Sequence, residues 1–418
     1  MDTKQRLWKL VEEEKSELLE ICSDLIKIPS VTKEQNESIV DFVTSYLTAA
    51  GVENKVVRGP ENMPSILAQI GDENGKTALI NGHNDVVPVG DLSRWNYSPY
   101  CGTITDKHIL GRGTSDMKCG VGIALFLIKM IKKHQLNLKG KLKIQIVHDE
   151  ESGGEKGSMW LVDNGYADDV DFCLIPEPTS YNNVEVGQKG SMRIKITTYG
   201  TPVNGSIINY VGENAVHKMV KILSRMDEIS KLEGDYREDQ QQVLKDSKQV
   251  IMDCFGVPGV ENAIDHVNVN IMKVDGGLSN SMTPEMCEAM VGTLVPVGIS
   301  TQAVKDKLAQ IIKEEGMTGV KVEYPRCKDG ACTDVNTDLV KSAVHNAQTV
   351  WNKKVVPAYQ WATSDAKFFR YRGIPTIQYG PANTEGIHAY NENVDIEDVV
   401  NCAKTYFGIL EDLIGFQL

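Results

Sequence analysis

Lys141-Leu142-Lys143-Ile144-Gln145-Ile146-Val147, followed at once by His148-Asp149-Glu150-Glu151-Ser152-Gly153-Gly154, is the stretch that decides the fold. Alternating apolar residues mark a strand, and two adjacent carboxylates lie just past its carboxyl end. Working back, the apolar run Ala78 to Asn81 reads as a second strand and ends in Gly82-His83-Asn84-Asp85. Between the two lies a helical pattern, Gly120 to Lys132, and beyond them a strand over Phe172 to Ile175 precedes Glu177. Strands alternating with helices imply crossover connections and an α/β fold with a mainly parallel sheet covered on both faces. In such a sheet ligands collect in the crevice outside the strand carboxyl ends.

Further out, Leu7, Val11, Leu18, Cys22 and Leu25 form one stripe, which predicts an amphipathic helix over 5–27 stopping before Pro29. From Ser191 the pattern changes to strand Arg193–Tyr199, helix Gly212–Ile229, strand Val267–Val274, strand Glu288–Val295, helix Thr301–Glu315 and strand Val320–Tyr324. This β-α-β-β-α-β order is ferredoxin-like. It reads as a domain inserted at 190–325 into a first domain made of 1–189 and 326–418, with the polar stretch Lys231 to Val250 as a loop elaboration inside the insert. Helix Asp338–Trp351, strand Thr376–Tyr379 and a closing helix begun by Asp395 and Asp398 in capping-box fashion complete the first domain.

The 418 residues, 41% hydrophobic and 24% charged, suit two folded domains. A net charge of -13 without a basic stripe argues against nucleic acid as a partner. No run approaches the roughly 18 apolar residues of a membrane span, and the charged first 20 residues do not resemble a signal peptide. Nine cysteines without a CxxC pair are read as reduced thiols in a cytoplasmic protein.

Asp116, in Gly111-Arg112-Gly113-Thr114-Ser115-Asp116-Met117-Lys118, precedes the Gly120 helix, and His388 lies beyond the strand ending at Tyr379. Singly, each of these motifs would be read as a turn or a solvated loop end. Jointly, they bring Asp116, Glu150, Glu151, Glu177 and two imidazoles to one crevice. Such a cluster of carboxylates needs protons or cations, and imidazole is a ligand zinc favours over magnesium or calcium.

These motifs, with Val86-Val87-Pro88 after Asp85 and Pro178-Thr179 after Glu177, resemble the aminoacylase, acetylornithine deacetylase, succinyl-diaminopimelate desuccinylase and glutamate carboxypeptidase family of two-zinc metallopeptidases and amidohydrolases. The resemblance implies a zinc-peptidase-like doubly covered mixed sheet with an inserted ferredoxin-like lid and dimerisation domain. It also implies two zinc ions, with cobalt or manganese able to substitute. His83 and Glu177 would hold one ion, Glu151 and His388 the other, and Asp116 would bridge them. Asp85 would orient His83, Glu150 would be the general base, and the peptide after Asp116 would be cis. The implied protein is a homodimer that cleaves a small N-acyl amino acid or dipeptide-like amide. An exopeptidase on the same scaffold and a catalytically impaired metal-binding dimer are the alternatives.

The inserted domain departs from the family pattern. Asn204 stands where the family has an oxyanion-steadying His that reaches the partner subunit's site. The usual Asn falls at or beside Ser281, with Asn280 one place off. Leu294 takes the place of an Arg that grips the substrate carboxylate. An apolar residue there predicts a substrate neutral at that end, or recognition by another cation such as Lys189 or Arg193.

Overall fold

The computed structural model describes residues 2–34, 36–277 and 282–417, so Asn280 and Ser281 lie outside the described residues. Its largest sheet has nine strands. From one edge the order is Asn54–Arg58, Pro64–Gly71, Lys141–Val147, Thr77–His83, Phe172–Ile175, Thr376–Gln378, Asn183–Gln188 and Ala331–Cys332, with Val356–Tyr359 also pairing to Asn183–Gln188. The central four, Lys141–Val147 through Thr376–Gln378, are parallel. The expectation of a mainly parallel sheet needs correction at the flanks: Pro64–Gly71, Asn54–Arg58 and Ala331–Cys332 pair antiparallel, and so does the contact between Thr376–Gln378 and Asn183–Gln188. The sheet is therefore mixed.

Period-two alternation sends side chains to two cores. Phe172 and Leu174 join the large cluster with Ala78, Ile80 and Ile144, whereas Cys173, Ile175 and Leu79 join a smaller one with Phe368 and Phe369. Helix Cys119–Lys133 lies under the large face and is buried over most of its length, which explains why its apolar residues run almost all round. The N-terminal stripe is buried as expected, but two helices carry it, Thr3–Glu13 and Lys15–Lys27, separated at Glu14 (φ −102°, ψ 15°). The second ends at Lys27 and Ile28 is extended ahead of Pro29, as the proline ring requires. No helix among the described residues is long and apolar enough to cross a membrane.

The second sheet has four antiparallel strands in the order Asn268–Gly276, Met286–Val295, Gly190–Tyr199 and Val320–Lys328. Met192, Ile194 and Ile196 pack beneath helices Ala215–Leu223 and Thr301–Glu314, completing the β-α-β-β-α-β arrangement. Two details differ from expectation. The helix predicted over 212–229 breaks into Ala215–Leu223 and Asp227–Ser230. The stretch Lys231 to Val250, expected to be a loop inside the insert, instead runs into an 18-residue helix, Glu238–Phe255, whose Val243 and Ile251 are buried in the first core. The closing helix, Ile396–Leu413, has Asp395 at its N-cap without a side-chain cap bond; that carboxylate instead lies 3.0 Å from His108 Nε2.

Candidate active site

His83 closes the Thr77–His83 strand, and its Nδ1 meets the Asp85 carbonyl at 2.9 Å. If Nδ1 carries the proton, that carbonyl accepts it and Nε2 is left facing Asp116 Oδ1 at 3.1 Å and Glu177 Oε1 at 3.6 Å. His388 Nε2 approaches the same aspartate from the other side, 3.2 Å from Asp116 Oδ2 and 2.9 Å from Glu151 Oε1. One carboxylate thus stands between two imidazoles. The donor atoms fall into two sets, each within 4.8 Å: His83, Glu150 and Glu177, and Asp116, Glu151 and His388.

The loops are held from behind. The Asp85 carboxylate accepts from the Glu150 and Glu151 amides, each at 3.2 Å, so it positions the acidic turn as well as lying 3.4 Å from His83 Nδ1. That turn ends in Gly153 (φ 118°) and Gly154 (φ 73°), and a Cβ on Gly154 would lie 1.9 Å from Asp365 Oδ1. On the other side, buried Glu392 accepts from the amides of Gly113, Ser115 and Asp116 at 3.0–3.3 Å and from Arg112 Nη1 at 2.5 Å. Buried Lys118 anchors the same loop on the Leu25 and Ile28 carbonyls at 3.0 and 2.6 Å. The Asp116–Met117 peptide is cis, as the resemblance implied.

Burial alone would hold His83 neutral, but the Asp116, Asp85 and Glu177 carboxylates lift it well above the usual histidine range. Hydrogen bonding to Asp116 and Glu151 takes His388 up to about 10. Burial and then the Asp116 charge push Glu177 up to about 7, and burial with the Glu177 charge raises Glu150 well above its ordinary value. Glu150, Glu151 and Glu177 are thus driven to take up protons, whereas Asp116, although buried, is held well below the usual carboxylate range by its hydrogen bonds to His388 and His83. Divalent cations would relieve the same excess of negative charge, and the mixed imidazole and carboxylate donors suit them.

Glu150 and Glu151 open onto a cleft of about 480 Å³ whose other wall is the four-stranded sheet. Arg193 and Leu294 line it, as do Arg326 and Lys367, which the sequence reading missed. Lys189 does not reach it: its buried Nζ is bound to the His266 carbonyl and Asn268 Oδ1. Asn204 is neither in the two donor sets nor in the cleft lining; it sits on an exposed turn, where its Oδ1 accepts from the Ser206 amide at 3.0 Å. Glu392 was also missed, because nothing in the sequence pairs it with the Arg112 to Asp116 loop whose amides it accepts.

Residues 79–412 match Peptidase family M20/M25/M40. The chain belongs to this family. Over 94% of its length it is 27% identical to an uncharacterized metallohydrolase of Methanocaldococcus jannaschii, 99% of which is covered. Over 92% it is 27% identical to succinyl-diaminopimelate desuccinylase of Ehrlichia chaffeensis, with 95% covered. A metallo-carboxypeptidase of the M20 family from Sulfolobus solfataricus shares the fold with a TM-score of 0.75 at 21% identity, covering 95% of this chain and 99% of that one. As a member of this family the protein is a metal-dependent hydrolase, and its strand-end cluster is the candidate metal centre.

Proposed function

We propose that the protein hydrolyses the amide of a small N-acyl amino acid at a two-metal centre held by His83, Asp116, Glu151, Glu177 and His388, with zinc as the metal. The observation that carries this reading is the single Asp116 carboxylate standing 3.1 and 3.2 Å from two histidines, each with its own glutamate at hand. Bound there, two divalent ions would supply Lewis acidity, lowering the pKa of an attacking water to about 7 and polarising the scissile carbonyl. Glu150 lies at the cleft end of the cluster, 4.0 Å from His83 Nε2, and takes the water's proton before passing it to the leaving amine. Asp85 keeps the His83 ring and the Glu150 backbone in register for that transfer. The Asp116 and His388 loops stay aligned through Arg112, which pairs with Glu392 and lies 3.5 Å from the His388 carbonyl.

The reading includes a cytoplasmic homodimer and the division 1–189, 190–325 and 326–418, with the Glu238–Phe255 helix packed on the first core. The desuccinylase relatives favour an N-acyl substrate; a dipeptide is the second reading, favoured by the carboxypeptidase-like fold. Metal analysis after zinc loading should give two ions per chain. An N-acyl amino acid panel should be turned over without a free amino terminus, whereas activity confined to dipeptides would select the exopeptidase. Glu150→Ala should abolish turnover with both metals retained; substantial zinc loss would make Glu150 a ligand.

A further inference from the structure

We propose that Arg193 and Arg326 form a carboxylate-binding subsite, so that the hydrolysed amide carries an anionic group on the fragment held away from the metal cluster; this deepens the function proposed above and rests on it. The two arginines stand directly opposite each other on neighbouring antiparallel strands. Side chains so placed have Cβ atoms about 4.5–5.5 Å apart, and like charges there repel. An anion lying between them turns that repulsion into attraction, and two planar guanidinium groups suit the two oxygens of a carboxylate.

The rest of the sheet row fits the same ligand. Arg193 faces Gly292 across the next strand pair, and Gly292 faces Asn270. The row therefore runs Arg326, Arg193, Gly292, Asn270: two cations, a position with no side chain, and an amide. All four line the cleft that Glu150 and Glu151 open onto. Leu294, two residues beyond Gly292, also lines it and offers an apolar contact for a short methylene linker.

The charges also set a direction. Carboxylates gather at the candidate metal centre, whereas Arg193, Arg326 and Lys367 are the cations of the cleft lining, so an anionic tail is repelled by the first group and held by the second. Arg326 gives one nitrogen to Glu155 Oε1 at 2.8 Å, and Lys367 gives its ammonium to the Ser364 carbonyl at 3.0 Å. Arg193 has no ion-pair or hydrogen-bond partner among the described residues, which leaves its guanidinium uncommitted.

The test uses the zinc-loaded full-length chain and two pairs of substrates. In the first, N-succinyl-alanine amide is compared with its succinamoyl analogue, which is neutral; in the second, N-acetyl-alanine with N-acetyl-alanine amide. The acid should be preferred in one pair, and the responding pair identifies whether the acyl or the amine fragment carries the charge. Arg193→Gln and Arg326→Gln should each lower kcat/KM for that acid by about 10- to 100-fold, the loss expected for one charge-assisted hydrogen bond, with the neutral analogue within threefold of wild type. Glu155→Gln should keep the preference, which separates ligand binding from a merely structural tie at Arg326. Calorimetric titration with succinamate gives a readout independent of turnover: binding to wild type should be lost in the double variant. If no amide is cleaved but that difference in binding persists, the hydrolysis reading fails and the subsite stands. Equal acid preference and equal succinamate affinity in wild type and double variant would overturn the subsite, as would a preference for the neutral member of both pairs.

Discussion

At the scale of single residues, the candidate metal-binding cluster was legible because its members are the right chemical types placed at or just beyond strand ends. Period-two patterning locates those ends without knowledge of partners. Glu392 and Arg326 were not legible, because their roles depend on which backbone amides and which opposing side chains the folded register presents. Glu392 gathers three amides of the Asp116 loop and pairs with buried Arg112. Glu392→Gln should therefore weaken metal binding by about 10- to 100-fold, read by chelator competition, because residues behind metal ligands typically act at that level. Removing one partner of this buried pair should also cost about 3–5 kcal/mol of stability, measurable by denaturant titration. Lys189 offers a pH signature. Burial holds its ammonium down to about 7, so between that value and the ordinary lysine range the unfolded chain binds the proton more tightly than the folded one. Stability should rise with pH across this window, by up to about 1.4 kcal/mol per pH unit, and Lys189→Met should flatten that slope.

At the scale of elements, the helices and strands expected from periodicity lie close to observed ones, but helix Glu37–Ala49 and strands Asn54–Arg58, Pro64–Gly71 and Asn183–Gln188 were not expected, and one further missed helix is instructive. The buried face of helix Glu238–Phe255 consists of Gln240, Val243, Ser247 and Ile251. Two of the four are polar, so the apolar stripe that marks a core helix is half missing from the sequence. The polar members have partners: the Ser247 hydroxyl accepts the Tyr359 amide at 2.7 Å and donates to the Val243 carbonyl at 2.6 Å. Ser247→Ala would strand a buried strand amide, and about 1–3 kcal/mol of stability should be lost, seen as a lower denaturation midpoint. The N-terminal stripe fails differently: its period is right, but periodicity does not report the break at Glu14.

At the scale of the whole molecule, the division into two sheets was readable from the change in element order, whereas the excursion of the Glu238–Phe255 helix was not. The outer strand of the smaller sheet, Asn268–Gly276, presents Ile271, Met272 and Val274 at 43%, 50% and 51% exposure. An apolar, unpaired strand edge is a liability unless another chain covers it, and a twofold copy is the commonest cover. Light scattering should report a dimer, and Met272→Lys with Val274→Asp should shift it to monomer.

The helix that leaves the smaller sheet to pack on the larger core has a mechanical consequence. The chain passes between the two cores not twice but repeatedly: before Gly190, between Ile229 and Val243, between Ile264 and Val267, at Val297 and back, and after Cys327. Lys189 ties the first passage to the third through the His266 carbonyl and Asn268, and a Cβ on Gly190 would lie 2.2 Å from the Lys328 carbonyl, so the last runs alongside. The smaller sheet is thus moored to the larger core by several neighbouring segments of chain and not by a single tether. Under the proposed subsite, a mooring of this kind fixes the span from Arg193 and Arg326 to Glu150, and that span would act as a ruler for substrate length.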